Sequence, residues 1–392
     1  MAQGGRSDWV VLTGNARDVL AELPENKIFC CVTSPPYFNM REYNDPSRFV
    51  WGGDPYCSHD WGEPESDRCW LCNAWQGSLG RELTPERYIA DLTEVFRQVR
   101  NVLHPKGTCW VNLGDGYAGS GRGPSGHNAM VKHQTERQGG HLGGAIIPPG
   151  YKRKDYFNLP SLLGEALRKD GWYLRSKIIW RKPNAKPGSY RDRPVLDYEE
   201  ILLLTKSDLY YYDYYATLEP AIEGGVRAPR AVWDIPTEGG YQDPAGAQHY
   251  ATFPVDLPRR CILAGAPPWV CKRCFTPYQH VAEVTRNGGP NLSEGRQQQI
   301  RGAGVLAGGD RNVTLGRTRE IQEVGYLPDC GCPDPSPIPS TVLDPFGGTM
   351  TTGEAALDLG LRFLGIESNP DYAQVGRRRL ASLDRHQSAV LN

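Results

Sequence analysis

Ile28-Phe-Cys-Cys-Val-Thr-Ser-Pro-Pro-Tyr37 is the stretch on which the reading of this 392-residue chain turns. Ile28 to Thr33 is a continuous uncharged run, the pattern of a strand buried on both faces of a parallel sheet. Two prolines then end it. Each fixes φ and removes a backbone N–H, so the strand opens into a rigid turn that leaves the Ser34 hydroxyl and the Pro35 carbonyl as outward acceptors.

The neighbouring sequence repeats a strand–helix alternation. Val10 to Leu12 reads as a strand and Ala16 to Leu23 as a short helix. Thr84 is the N-cap of a long helix with Pro85 at its first position. Ile89, Leu92, Val95, Phe96, Val99, Val102 and Leu103 recur there at helical spacing, and His104-Pro-Lys-Gly107 is expected to stop the helix before a strand Thr108 to Leu113. A helix Pro160 to Lys169, strands Trp172 to Trp180 and Glu200 to Thr205, a strand Thr341 to Leu343, a helix Thr352 to Leu359 and a strand Arg362 to Glu367 complete the series. The alternation predicts an α/β, doubly wound, mostly parallel sheet. Ligands of such sheets sit at the carboxyl ends of strands, where both Ser34–Tyr37 and Asp344-Pro-Phe-Gly-Gly-Thr349 fall.

Composition sets the outer bounds. Hydrophobic residues make up 39% and charged residues 23%, an ordinary globular balance, and the formal net charge is −1. Tyr151 to Arg193 nevertheless holds twelve Lys or Arg against four acids, a local surplus that suits a polyanion or simply a solvated face. The start lacks an apolar signal region, and no stretch has the roughly 18 to 20 apolar residues of a membrane span. A soluble, cytoplasmic protein without a membrane partner is expected.

An exocyclic amino group on cytosine or adenine is a poor nucleophile, because its lone pair is delocalised into the ring. Acceptors such as Ser34 and the Pro35 carbonyl could localise that pair and aim it, with Pro36 stiffening the turn and Tyr37 stacking on an extruded base. Asp344, Pro345, Phe346, Gly347, Gly348 and Thr349, followed by Thr351 and Thr352 at a helix start, form a glycine-rich turn that can approach a ligand closely. Glu367 lies about 20 residues on, where an acid grips ribose hydroxyls.

On these residues the chain resembles the β-class amino-methyltransferases of DNA, the N4-cytosine/N6-adenine methylase family, in a Rossmann-like class I fold of circularly permuted order. The resemblance implies S-adenosyl-L-methionine as cofactor, double-stranded DNA as partner and a cognate restriction endonuclease as a partner such enzymes can have. It implies cofactor contacts from Asn15, Asp18, Thr33, His249, Phe253, Pro254, Ser368 and Asn369 beside the turn and Glu367. Arg41, Tyr43, Trp180, Lys182 and Asn184 fall in segments resembling the DNA side and the base pocket, and Lys152, Arg153, Lys154 and Arg191 in the basic stretch. Ser34 in the first motif position leans towards cytosine N4, with adenine N6 the alternative; C5 methylation is excluded, since no Pro-Cys dipeptide exists. Three departures stand out: Met350 where the family commonly has a small residue, Asn15 where an acid is usual, and Glu199-Glu200 in place of His-Glu. A non-catalytic DNA reader and an RNA or protein-amide methylase stay open as other readings.

Eleven cysteines, an odd number, argue against a disulfide framework. Cys57, His59, Cys69 and Cys72 offer one tetrahedral donor set and Cys271, Cys274, Cys330 and Cys332 a second, both suited to structural zinc. The expected organisation is a catalytic half over 1–205 with a zinc-binding insertion at about 51–80, a pocket-wall and cofactor-packing segment over 206–266, a zinc-ribbon-like insertion over 267–339 and a cofactor-binding half over 340–392. Within the ribbon, Arg286, Arg296, Gln297, Gln298, Gln299, Arg301 and Arg311 make the leading target-recognition loop, since Arg and Gln read base edges. Gly116 to Lys154 is a second segment expected to close over DNA.

Overall fold

Strand β2 (Ile28–Thr33) is buried along its whole length, and its residues feed two cores, Cys31 the first and Cys30 and Val32 the second. This two-sided burial requires helices on both faces of the sheet. In the computed structural model, residues 8–38, 49–62, 67–119, 147–185, 187–188, 190–221, 225–239, 241–242, 248–249, 253–287 and 318–390 are described. For 241–242, 248–249, 284–287, 318–323 and 384–390 only the backbone course is described.

The main sheet joins β1 (Trp9–Thr13), β2, β3 (Leu103–Leu113), β4 (Tyr173–Arg181), β5 (Tyr198–Thr205), β6 (Val232–Asp234), β7 (Thr341–Asp344) and β8 (Arg362–Glu367) in the order β1-β8-β7-β2-β3-β5-β4-β6. Every neighbouring pair is parallel except those that β5 makes with β3 and β4. The chain leaves β7 for β8 on one side and β2 for β3 on the other, so the boundary between β7 and β2 is a topological switch point.

Helices α1 (Ala16–Ala21), α2 (Pro85–Val102) and α3 (Leu159–Lys169) cover one face, through Leu20, Leu92, Phe96, Leu163 and Leu167. Helices α4 (Asp256–Gly265), α5 (Thr351–Asp358) and α6 (Pro370–Val390) cover the other, through Leu257, Ile262, Ala356 and Leu380. The Thr84 side chain accepts from the Arg87 N–H at 3.2 Å and Pro85 occupies the first turn, the start expected for α2.

The end of α2 differs from expectation. No loop forms at His104–Gly107; β3 begins at Leu103, and its register against β2 jumps from Ile28↔Leu103 to Cys30↔Thr108. The extra residues bulge out of the ladder, which is where Pro105, with no N–H to donate, is tolerated. Other boundaries shift by one or two residues, as fraying ends do.

The two cysteine-bearing segments project as separate small hairpins. Phe49–Trp51 pairs with Trp75–Gly77 around the first set. Trp269–Cys271 pairs with Pro337–Pro339, and Tyr278–Asn287 with Thr318–Pro328, around the second. The longer hairpin is tied to the body by buried Asp213, which bonds His280 Nδ1 at 2.7 Å and accepts from Tyr326 OH at 2.7 Å. Among the described residues no helix is long and apolar enough to cross a membrane.

Candidate active site and metal centres

The turn after β2 and the turn after β7 meet at the switch point, because their strands are neighbours and both carboxyl ends face the same way. Thr33 Oγ1 donates to Asp344 Oδ1 at 2.6 Å, and Thr352 Oγ1 donates to Asp344 Oδ2 at 2.7 Å. The Phe346 N–H adds a third bond at 3.1 Å. Burial pushes the Asp344 carboxyl up to about 6, against the lowering effect of these donors. Asp344 is therefore a strut inside the loop pair, which its burial to 1% exposure also dictates.

The Ser34–Tyr37 turn is held from three sides. Tyr88 OH donates to the Pro36 carbonyl at 2.7 Å. Gly80, at φ +88°, lies so close that a Cβ there would stand 2.9 Å from the Tyr37 carbonyl oxygen. Gly114 is equally constrained, since its Cβ would stand 2.6 Å from Tyr37 Cε2. Pro35 is buried and Ser34 half-buried. The Tyr37 hydroxyl donates to Glu199 Oε2 at 2.6 Å and accepts from Asn112 Nδ2 at 2.8 Å, while Ser34 Oγ lies 3.1 Å from it.

One residue that sequence reading missed completes this floor. Asn112, at the end of β3 beside Tyr37, keeps its Oδ1 as a buried acceptor with no hydrogen-bond partner among the described residues, while Asp115, just beyond the strand, accepts from Gly116 N at 2.7 Å and faces Tyr156. Burial raises the Asp115 carboxyl to about 6. A polar Asn inside the run Cys109-Trp-Val-Asn-Leu113 was the available signal, because a buried strand carries such a side chain only where something bonds it.

On the cofactor side, Glu367 ends β8 and accepts from Gly348 N at 2.8 Å and from Asn369 N at 2.9 Å. Asn369 in turn caps α6 by accepting from Asp371 N, with Ser368 half-buried between them. Asn15 caps α1 through Arg17 N, and its Nδ2 is buried without a partner among the described residues. Gly14 N donates to the Glu367 carbonyl, which sets Asn15 beside that acid. Asp18 turns outward to Arg17 at 2.8 Å. Pro345, Gly347, Thr349 and Thr351 are buried in the turn, and Phe346 packs partly exposed against the first core. Pro254 is buried and Phe253 packs on the second core; His249 pairs with Tyr241 along the backbone.

A half-buried acid, a left-handed Gly348 (φ +52°) and an orphan amide donor suit a ligand carrying ribose hydroxyls and a base. Met350 does not intrude on them. It is fully buried, and Gly347, Gly365 and Gly376 leave its side chain room: a Cβ on any of the three would come within 2.6 Å of Met350 atoms.

The DNA-side expectations divide. Lys152, Arg153, Lys154 and Arg191 are exposed, Lys154 in an ion pair with Asp192 at 2.6 Å. Trp180 corrects its expectation: it is 3% exposed, its Nε1–H bonded to the Ile235 carbonyl, because its strand position points into the second core. It lies under Lys182, whose ammonium is 4.5 Å from the ring centroid and pairs with Glu199. Asn184 likewise is spent on Thr237, donating to its carbonyl and accepting from its N–H. Arg41, Tyr43, Arg296 and Arg301 lie outside the described residues.

Both cysteine sets converge. The ligand atoms of Cys57, His59, Cys69 and Cys72 all lie within 4.8 Å of one another, as do those of Cys271, Cys274, Cys330 and Cys332. Cys57 and Cys69 sulfurs are 3.8 Å apart and Cys72 Sγ is 3.4 Å from His59 Nδ1. Tetrahedral zinc with bonds of about 2.3 Å to sulfur places its ligand sulfurs about 3.8 Å apart, so the donor sets fit that ion.

A doubly wound sheet with two turns meeting at its switch point defines an α/β protein whose ligand site lies at the carboxyl ends of β7 and β2. Comparison narrows it. The profile of the N6/N4 DNA methylase family matches residues 28–269 and 336–378. The chain belongs to that family of DNA methyltransferases. It is 36% identical to the Type II methyltransferase M.Cfr9I of Citrobacter freundii over 255 residues, 65% of this chain and 72% of that one. With the Type II methyltransferase M.SmaI of Serratia marcescens it shares 29% identity over 374 residues, 94% and 90% of the two chains. The PvuII DNA methyltransferase (cytosine-N4-specific) shares the fold at a TM-score of 0.51, with 14% identity over 96% of this chain and 89% of that one. The interval between the two matched segments, 270–335, contains the second cysteine set.

Proposed function

We propose that this chain transfers a methyl group from S-adenosyl-L-methionine to N4 of a cytosine extruded from duplex DNA. The observation that carries the reading is the meeting of the Ser34 turn with the Asp344–Thr352 turn, joined through Thr33 and Asp344. Ser34 in the first motif position is the reason for choosing cytosine over adenine.

Glu367, Gly348, Asn369 and Asn15, with Phe346, Phe253 and His249, are the residues that would hold the cofactor, which supplies an electrophilic sulfonium methyl when bound. The chain's own part is positioning. Ser34 Oγ and the Pro35 carbonyl accept the hydrogens of the amino group, concentrating its lone pair on nitrogen, and the tightly held turn fixes the direction of attack. Lys152, Arg153 and Arg191 meet phosphates. The two cysteine sets hold zinc structurally, shaping irregular segments, and the hairpin ending at 287 and 318 carries the target-recognition loop. In this reading 1–205 and 340–392 are the two halves of the transferase, 206–266 the pocket wall and 267–339 the recognition insertion.

The deciding experiment is nucleoside mass spectrometry of unmethylated duplex DNA incubated with the protein and S-adenosylmethionine. N4-methylcytosine is the expected product. N6-methyladenine would overturn the choice of base, and no methylated nucleoside on DNA of varied sequence would overturn the catalytic reading.

A further inference from the structure

We propose that Glu199 is a positioning residue for methyl transfer: through the Tyr37 hydroxyl, its carboxylate fixes the Ser34 hydroxyl as an acceptor for the target amino group. The inference rests on the reading of the Ser34 turn as the transfer centre.

The argument follows from counting donors. Glu199, near the start of β5, is half-buried and pairs with the Lys182 ammonium through Oε1. A carboxylate offers only acceptors. The Asn112 amide, 2.7 Å from Glu199 Oε2, must therefore present its NH2 group there, and that same group donates to the Tyr37 oxygen at 2.8 Å. Tyr37 has a single hydroxyl hydrogen, and its 2.6 Å bond to Glu199 Oε2 uses it. Towards Ser34, 3.1 Å away, the Tyr37 oxygen can then only accept. Ser34 spends its one hydrogen on Tyr37, and its remaining hydrogen-bonding capacity is two lone pairs. An exocyclic amino group has only hydrogens to offer at the nitrogen being activated, so a serine locked in this sense is complementary to it. A hydroxyl free to rotate would present its own hydrogen part of the time. Neither a strand residue far from the cofactor turn nor a glutamate some 160 residues after the serine suggests this role in the sequence; the adjacency of β3 and β5 creates it.

The test is single-turnover methylation of duplex DNA by the full chain at saturating cofactor and DNA. Glu199→Leu is expected to slow the step by about tenfold or more when Tyr37 is present, and by less than about twofold in the Tyr37→Phe and Ser34→Ala backgrounds, as a shared pathway requires. Dissociation constants for S-adenosylmethionine and DNA should stay within about threefold, so that the loss falls on the rate and not on binding. Equal losses in every background, or a loss confined to binding, would overturn the role of Glu199. Should Glu199→Leu fail to fold, Glu199→Gln is measured in the same three backgrounds, because its amide cannot face Lys182 and Tyr37 as acceptor at once. A Ser34→Ala variant with the wild-type rate would instead overturn the transfer-centre reading on which the inference stands.

Discussion

Thr33 Oγ1 and Asp344 Oδ1 are 2.6 Å apart although 311 residues separate them in sequence. The bond joins the strand that ends in the serine turn to the strand that ends in the glycine turn, at the point where both chains leave the sheet. Because Asp344 also accepts from Thr352 and Phe346, one buried carboxyl sets the spacing of the two loops.

Asp344 should leave a pH signature. Its carboxyl is raised by burial from 3.8 to about 6 in the folded protein. A raised carboxyl binds its proton more tightly folded than unfolded. That contribution is fully present below the unfolded value and is lost as pH rises through about 6. Wild type should therefore gain stability relative to Asp344→Asn as pH falls from 7 to 4, by roughly 2 kcal/mol. Paired urea melts across that range measure the difference, and a widening gap in the opposite direction refutes the assignment.

Glu367 carries the cofactor prediction. It orders Gly348 and Asn369 through their backbone N–H groups, and Glu367→Ala removes both bonds. Affinity for S-adenosylmethionine should fall by about tenfold to a hundredfold, the range for bonds to a charged group. Titration calorimetry reads this directly; an unchanged dissociation constant sinks the role.

The two candidate donor sets predict two zinc equivalents per chain, one lost in Cys69→Ser and one in Cys271→Ser, by elemental analysis of purified protein. Cys271→Ser should also weaken DNA binding, since it loosens the hairpin that leads to the recognition loop. Retained stoichiometry in either variant refutes that centre.

Gly80 offers a test of the serine turn from outside it. Gly80→Ala adds a methyl 2.9 Å from the Tyr37 carbonyl at a left-handed φ of +88°. Strain of this kind costs about 1–3 kcal/mol. Stability should drop by that order, and single-turnover methylation should fall more than cofactor affinity. Rate and affinity falling together would mean that the substitution acts on the whole fold.

Much of the fold was legible because it is local. The uncharged run Ile28–Thr33, the Thr84-Pro85 start of α2 and the glycine turn after Asp344 each carry their cause within a few residues. The convergence of both donor sets was legible for the same reason: Cys69 and Cys72, or Cys271 and Cys274, sit at ligand spacing, and close pairs need only one hairpin to meet. His104–Gly107 misled, because proline and glycine punctuate a chain equally at a loop and at a bulge. Met350 was legible only as a departure from the family pattern, since its place under the glycine turn depends on Gly365 and Gly376 from other elements.

The sequence by itself determined most strands and helices of the main sheet, though not α4, α6 or β6, and it marked which turns can approach a ligand and which cysteines can share an ion, all consequences of periodicity, proline and glycine chemistry and short spacing. Tertiary structure alone decided that Thr33 meets Asp344, that Glu199 reaches Tyr37 and Asn112, and that Trp180 turns into the core while Lys182 covers it. The physical reason is that strand order in a sheet is set by how two hydrophobic faces are buried together. Hydrogen bonds between strands distant in sequence come into being only once that burial has chosen the neighbours.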